Sequence, residues 1–291
     1  MNATSFLHIG TCSWKYDSWR GLIYPEDKPI NYLREYSRHY NTVEIDQWFW
    51  SLFKGDAAVL PKPTVVIDYA ESVPENFIFC IKIPNSITLT HHYKKQKNEP
   101  LRPNPHFLSI ELMQRFLNTI EPLKHLIGPL IFQFEYLNKQ KMSNLEEFLE
   151  HLADFAYNLP SGFTYCIETR NPNYLTDNYF DFLLEHKLHH VFLQGYYMPS
   201  IFELHAKYTE KLGASSVIRL HGPGRQEIEK LTGKNWSTIV APKDNDLELL
   251  AAMLTEFAAR KSQTYLYVNN HFEGSAPRTI TRIMEKLENS H

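Results

Sequence analysis

The sequence predicts an α/β fold, a single (β/α)8 TIM barrel, and three observations carry that expectation. Eight short β-rich runs alternate with helix-length segments along 291 residues, the signature of parallel strands joined by crossover helices. Most of the runs are nearly continuous apolar stretches, as strands buried on both faces require. No G-x-G-x-x-G or Walker motif follows any run, which disfavours an open doubly wound sheet with a nucleotide crevice. Length alone would allow two domains, but α/β barrels use about 250 residues as one. Residues 1–291 are therefore expected to form one domain.

The expected strands are 6–12, 42–46, 77–83, 130–134, 163–168, 190–194, 217–221 and 264–269. Helices are expected over 29–39, 143–157, 177–185, 247–260 and 276–287. Ser143 and Glu146 have the spacing of a capping box. Behind them Leu145, Phe148, Leu149, Leu152 and Phe155 form an apolar stripe at helical spacing. Ser275 followed by Pro277 marks the start of the last helix. One connection, 84–105 after the third strand, is unusually long. It carries His91, His92, Lys94, Lys95, Lys97 and Arg102 against Glu99 alone, and reads either as a binding loop or as a solvated charged one.

Composition narrows the class. Hydrophobic residues at 43% and charged residues at 22% describe a chain able to bury a large core. Thirty Lys and Arg against 33 Asp and Glu give a net charge of -3, which argues against a whole-surface nucleic-acid or membrane binder but allows a local basic patch. Three cysteines do not make a disulfide framework, so a reducing, cytoplasmic setting is expected. The first residues lack a basic segment followed by a long apolar one, and no apolar run approaches a membrane span. Neither a signal peptide nor a membrane partner is expected.

Chemistry in such barrels sits at the C-terminal ends of the strands. Here those ends carry Cys12, Trp14, Glu44, Asp46, Lys82, Gln133, Glu135, Glu168, Arg170, Arg219, His221, Asn269 and Asn270. Period 2 puts Arg219 with His221, Glu168 with Arg170, and Glu44 with Asp46 on one side of their strands. An inward set of Glu44, Lys82, Gln133, Glu168, Arg170, Arg219, His221 and Asn269 would converge on one mouth. Charges can also close a barrel simply by pairing, for example Glu168 with Arg219. Unpaired, each buried ion would cost several kcal/mol.

Lys82, Arg170 and Arg219 suit an anionic ligand, with forked guanidinium donors for a carboxylate or phosphate. Gly222 and Gly224, around Pro223, would let the backbone approach it. Glu168 or Glu44 would serve as general base and His221 as acid–base partner. Trp14, Gln133, Asn269 and Asn270 would wall and orient the ligand. On this reading Glu168→Gln abolishes turnover and leaves folding intact. Two carboxylates in a cleft also fit glycoside hydrolysis, whose test is their separation.

No metal and no cofactor is expected. The pairs His91-His92 and His189-His190 diverge on a strand, no H-E-x-x-H spacing occurs, and three inward cations oppose a bare divalent ion. Cys12, Cys80 and Cys166 fall in expected strands and read as inert buried thiols, Cys12 being nearest the cations. Trp48, Phe49 and Trp50 could stack a ring but more often such a run packs.

The order of motifs resembles the DUF72, or YecE-like, family. IGTCSW is followed by W-R-G-L-x-Y-P (19–25) and NTVEID (41–46), then IKIP and Thr90-His91. GPLIFQF, IETRNP, IRLHG and NNH-x-x-G-x-A-P (269–277) complete the series. The resemblance implies one TIM-barrel domain with its shared polar residues at the strand ends. It also implies, by analogy of fold alone, kinship with xylose-isomerase-like and endonuclease-IV-like barrels. Two positions depart from the family pattern: Gln194 stands where an Asp usually ends the sixth strand, and Cys12 replaces a more usual Ser.

The leading expectation is a metal-independent enzyme acting on a small phosphorylated or carboxylated substrate. The alternatives are a nucleic-acid-binding or -processing barrel, less favoured, whose 94–97 loop touches phosphates, and a non-catalytic metabolite-binding module. The oligomeric state is left open.

Overall fold

The structure, a computed structural model, describes residues 6–27, 29–94, 96, 98–222 and 224–289. Its centre is a closed ring of eight parallel strands. In chain order these are β1 (Leu7–Thr11), β2 (Thr42–Ile45), β5 (Ile78–Lys82), β6 (Ile127–Gln133), β7 (Thr164–Glu168), β8 (His189–Gly195), β9 (Ser215–Gly222) and β10 (Gln263–Val268). A two-stranded hairpin, β3 (Leu52–Lys54) with β4 (Ala57–Ala58), is inserted after β2. Every expected strand is present, with no edge moved by more than three residues.

The ring closes between β1 and β2, where a single residue pair, Thr11 with Val43, is in register. A side chain reinforces this thin seam. The Tyr36 hydroxyl accepts from the Thr11 N–H at 2.9 Å and donates to the Thr42 carbonyl at 3.0 Å. Gly10 must be glycine here, because a Cβ would lie 2.1 Å from the Thr42 oxygen.

Helices cover the ring. The expected ones appear as α1 (Tyr32–Tyr36), α5 (Leu145–Asn158), α6 (Asp177–Glu185), α9 (Asp244–Ala259) and α10 (Ala276–Asn289). The first is far shorter than 29–39 because the Asn31 side chain accepts from Leu33 N and Arg34 N and fixes the start there. The capping box of α5 is displaced by one residue: Asn144 accepts from Glu147 N, and Glu147 accepts from Ser143 N. Five helices were not expected: α2 (Pro63–Glu71), α3 (Asn85–Thr88), α4 (Ile110–Thr119), α7 (Ile201–Tyr208) and α8 (Arg225–Thr232). No helix among the described residues is long and apolar enough to cross a membrane.

Two separate apolar clusters divide the interior. The larger lies between strands and helices and includes Trp14, Trp19, Phe132, Phe134 and Ile218. The smaller joins Cys12, Cys80, Ile131, Cys166, Val191, Val217 and Tyr267. These come from seven different strands or strand ends, and such residues can touch one another only across the lumen. All but Cys12, which stands at the upper end of β1, plug the lower barrel, and all three cysteines are buried and free of disulfides.

One step of period 2 above that plug stands a charged layer. Arg219 faces Glu44 with a two-pronged pair, Nε to Oε2 at 2.7 Å and Nη2 to Oε1 at 2.8 Å. Its remaining nitrogen, Nη1, lies 2.5 Å from Glu168 Oε2. Arg219 is 2% exposed and both carboxylates 0%. Glu168 is shared upward with Arg170, whose Nη2 lies 2.7 Å away. Burial alone would raise the Glu168 carboxyl, but Arg170, then Arg219 and Lys82, outweigh it and hold it at about 2.

This geometry reverses the expectation that Glu168→Gln leaves folding intact. The folded-state value is depressed, so the carboxylate's contribution is present above its ordinary 4.5 and is lost as pH falls toward about 2. Glu168→Gln should cost about 3–5 kcal/mol in urea unfolding at pH 7, as for breaking a buried pair. The gap to wild type should narrow below pH 4.5. Equal urea midpoints at pH 7 would mean that the layer does not hold the barrel together.

Candidate active site

Above the charged layer the barrel opens into a cavity of about 830 Å³ at the C-terminal ends of the strands. The floor and inner wall are Cys12, Lys82, Gln133, Arg170, Arg219 and His221, with Asp46 and Asn269 beside them. Period 2 therefore brings six of the eight residues of the expected inward set to the cavity surface. The other two, Glu44 and Glu168, lie beneath it.

That placement changes their roles. Glu44 and Glu168, expected as general bases, are sealed under Arg219, and Glu168, held at about 2, is a feeble base. Arg219, expected to hold the anion, borders the cavity but spends Nε and both Nη nitrogens on the two glutamates. Gln133 is also a support, since its Oε1 lies 3.3 Å from Arg170 Nη2 and 3.4 Å from Arg219 Nη1. Arg170 keeps an outward edge: Nε and Nη2 serve Glu168, while Nη1 has no hydrogen bond to a described residue.

Two carboxyls line the cavity, Glu135, which is paired with Lys141 at 2.5 Å, and Asp46, which has no ion pair with a described residue. The chain turns sharply after β2, with Phe49 N donating to the Asp46 carbonyl at 3.1 Å, and leaves this side chain half-buried at the wall. Burial and then the Glu44 charge push it up to about 6, against the pull of Lys82 and Arg219. Such a value suits proton transfer near neutral pH.

Lys82 ends β5 with its Nζ 3.9 Å from the centre of the Phe49 ring. It is 8% exposed, and its ammonium makes no hydrogen bond or ion pair with a described residue. Burial, then Arg219, lower its pKa, with Glu44, Glu168 and Asp46 opposing.

His221 does not fill its expected role as a partner that titrates near neutrality. Burial first, then Arg219, Arg170 and Lys82, drive its pKa well below the ordinary 6.5, so it stays neutral. Its Nε2 lies 3.7 Å from Cys12 Sγ and its Nδ1 3.3 Å from the Tyr196 hydroxyl. The Cys12–His221 pair is not an activated thiolate, because burial and the Glu44 charge push the thiol well up.

Tyr196 is held in strain. Gly195 has φ 126°, and Tyr196 and Tyr197 follow at 53° and 62°, a left-handed run that costs roughly 1–2 kcal/mol for each side-chain-bearing residue. The run places the Tyr196 ring 4.7 Å from the Arg170 guanidinium carbon, roofing that side of the cavity. Trp50, Tyr93, Tyr136 and Tyr197 complete an aromatic rim and are between 50% and 96% exposed.

Three expected ligand residues are placed elsewhere. Trp14 is in the core, edge-on to Tyr69 at 5.2 Å. The strand has ended at Thr11 and the chain turns, Tyr16 N donating to the Trp14 carbonyl, so Tyr16 lines the cavity in its place. Asn270 is buried and accepts from Ala276 N at 2.9 Å, which starts α10. Gly222 (φ 76°) borders a smaller side pocket, and a Cβ there would meet the His271 carbonyl at 2.5 Å. It admits the neighbouring chain rather than a ligand. Asn269 does line the cavity, holding His271 through its Oδ1.

The 84–105 connection is largely fastened down. Residues 84–90 are buried, and Asn104 donates to Ser86 and Leu89 carbonyls. His92 and Arg102 both bind Asp56 of the hairpin, at 3.1 and 2.7 Å. Lys94 is exposed, whereas Lys95, Lys97 and Pro223 lie outside the described residues. Gln194 holds Ile201 N and Asp246, bracing α7 and α9. Among the described residues no three His, Cys, Asp or Glu side chains gather so as to hold a metal ion.

Sequence reasoning passed over Tyr93, Tyr136 and Tyr196 as cavity residues. Their signal was only the high aromatic content, because loop residues carry no period.

The chain matches a family model described as "Protein of unknown function DUF72" over residues 8–291. It is 27% identical to the UPF0759 protein YecE of Escherichia coli (strain K12) over 184 residues, 63% of this chain and 55% of that protein. The same figures hold for the UPF0759 protein YecE of Escherichia coli O157:H7. The match thus spans just over half the length of these relatives. A DUF72 family protein of Thermotoga maritima MSB8 superposes with a TM-score of 0.67 at 18% identity, covering 97% of this chain and 99% of that one. A DUF72 family protein of Enterococcus faecalis V583 gives 0.66 at 16%, covering 97% and 95%. Both likenesses support the barrel fold. With its family model matched from residue 8 to residue 291, this chain belongs to the DUF72 family.

Proposed function

We propose that this barrel is an enzyme that draws a small anionic, phosphorylated or carboxylated, substrate into the cavity above its charged layer. Asp46 is its acid–base group. The observation that carries the reading is a division of charge. Arg219 is neutralised by Glu44 and Glu168, while Lys82 and the outward edge of Arg170 face the same cavity without such saturation. A carboxylate or phosphate seated there would complete their coordination in a desolvated site. The aromatic rim suits a ligand with a ring or other apolar body above the anion.

A proton donor and acceptor beside the bound anion favours catalysis over sensing. The buried, unpaired thiols fit a reducing cytoplasm. The nucleic-acid alternative draws less support, since His92 and Arg102 of the long connection are already spent on Asp56.

Two measurements test this reading. In a thermal-shift panel of sugar phosphates and short carboxylic acids, at least one should stabilise the wild type. At 100 times its dissociation constant the gain is about 2.7 kcal/mol. Arg170→Ala, which leaves Glu168 paired with Arg219, should lose that gain. Equal stabilisation of both proteins, or of neither, would remove Arg170 from ligand binding.

The second measurement concerns Asp46. Its folded-state value is raised from 3.8 to about 6, so protonation favours the fold and this contribution fades as pH rises between those values. Asp46→Asn should therefore be more stable than wild type at pH 8, by about 2–3 kcal/mol. The difference should close near pH 4, and turnover of the true substrate should vanish at every pH. Identical stability profiles of the two proteins from pH 4 to 8 would show that Asp46 is an ordinary solvated carboxylate.

A further inference from the structure

Lys82 is placed unlike an ordinary anion-binding lysine. Such a lysine is normally solvated or saturated by carboxylates, whereas this one ends a barrel strand at the cavity floor, against the Phe49 ring. The carboxylates nearest in charge, Glu44 and Glu168, have their oxygens turned to Arg219 and Arg170. A lysine in a desolvated pocket beside another fixed cation has a larger share of neutral amine, and a neutral amine is a nucleophile. Burial and the charge of Arg219 act on Lys82 in that direction.

The other parts of an amine-catalysed reaction surround it. Asp46 lines the same cavity and holds or releases a proton near neutral pH. Neutral His221 and the Tyr196 hydroxyl offer a hydrogen-bonded pair at 3.3 Å. Arg170 would fix the anionic end of a substrate so that its other end reaches the floor.

We propose that Lys82 is a carbonyl-reactive amine, and that the substrates of this barrel are small anions bearing an aldehyde or ketone. The proposal rests on the anion-pocket reading above and specifies its substrate class. In the first step the Lys82 lone pair forms a C–N bond to the carbonyl carbon, and the C=O π pair moves onto oxygen. The nitrogen gives a proton to Asp46, and the oxygen gains one from the Asp46 carboxylic acid or from solvent, giving a neutral carbinolamine. In the second step the C–O bond breaks, the oxygen takes a further proton and leaves as water, and the nitrogen pair forms the iminium. No oxidant or reductant is consumed.

The test is reductive trapping of the intact protein at pH 7. Pyruvate and glycolaldehyde phosphate serve as anionic carbonyl probes and cyanoborohydride as the reductant. Lactate, which keeps the carboxylate but lacks the carbonyl, serves in parallel thermal shifts of wild type and Arg170→Ala. A lower pKa leaves more neutral amine at this pH. Peptide mapping of the wild type should therefore place the adduct on Lys82, labelled several-fold faster than surface lysines. Lys82→Arg should lose that adduct while keeping the fold by circular dichroism. Mapping in the wild type decides the matter even where the variant is unstable.

Uniform labelling of surface lysines, or no adduct, would overturn the amine proposal. If lactate or pyruvate still stabilises the wild type and not Arg170→Ala, the anion pocket stands without it. If no probe either labels Lys82 or stabilises the protein, both readings fall.

Discussion

Arg219 clamped between Glu44 and Glu168 is the interaction on which the rest of the site depends. Three charges from three strands meet inside a closed ring at 0–2% exposure, where each alone would cost several kcal/mol. Pairing removes most of that cost only because the geometry is saturated: a two-pronged contact on one side and a short single one on the other. Arg170, which shares Glu168, brings the layer to balance, and the surroundings follow. His221, next inward along β9, is buried and faces Arg219, Arg170 and Lys82, and so stays neutral. Asp46, two residues beyond Glu44, is pushed up by burial and then by the carboxylate below it. Lys82 is left as the cation with no carboxylate of its own. The same layer that closes the barrel therefore sets the chemistry of the cavity over it.

The lumen is graded from bottom to top. Thiols and branched side chains fill the base, a paired ionic layer follows, and titratable groups under an aromatic rim face the opening. A dry base keeps water from solvating the ionic layer from beneath, which strengthens each pair in it. At the top of the cavity stands the left-handed pair Tyr196 and Tyr197. Backbone conformations of that cost persist where the surrounding structure fixes them, commonly at working sites. Here the fixed product is a tyrosine ring over Arg170 with its hydroxyl on His221.

What was legible in the sequence was periodic. Eight apolar runs gave the strands, and alternation by two gave the inward positions Lys82, Gln133, Arg170, Arg219 and His221. The limits lay where period stops. Trp14 has the right parity only if its strand continues, and the strand ends at Thr11. Asn270 lies one residue past the last inward position, Asn269, and turns to cap a helix instead. Gly222 looked like a ligand turn, but its empty side is filled by the backbone of the next loop. Helix α8 escaped notice because it buries little besides Ile228. Which charges would pair was the least legible of all. The stagger of strands around the ring, not sequence spacing, decides that Arg219 reaches Glu44, 175 residues away.

That last point turns the assignment of roles. From sequence alone, two glutamates and a histidine are the natural catalytic set, and Lys82, Arg170 and Arg219 the natural holders of an anion. In the barrel the relation is inverted. The glutamates and Arg219 satisfy one another so completely that little is left for a substrate, and changing their protonation would break the layer that holds the strands. A working acid–base group must gain and lose protons without unfolding its support, which Glu168 at about 2 cannot do near neutral pH and Asp46 at about 6 can. The same reasoning separates the cations: Arg219 is committed to structure, Arg170 is half committed, and Lys82 is uncommitted. Function is best sought among the groups that the folding network leaves unsatisfied, and in this cavity those are Asp46, Lys82 and the outer edge of Arg170.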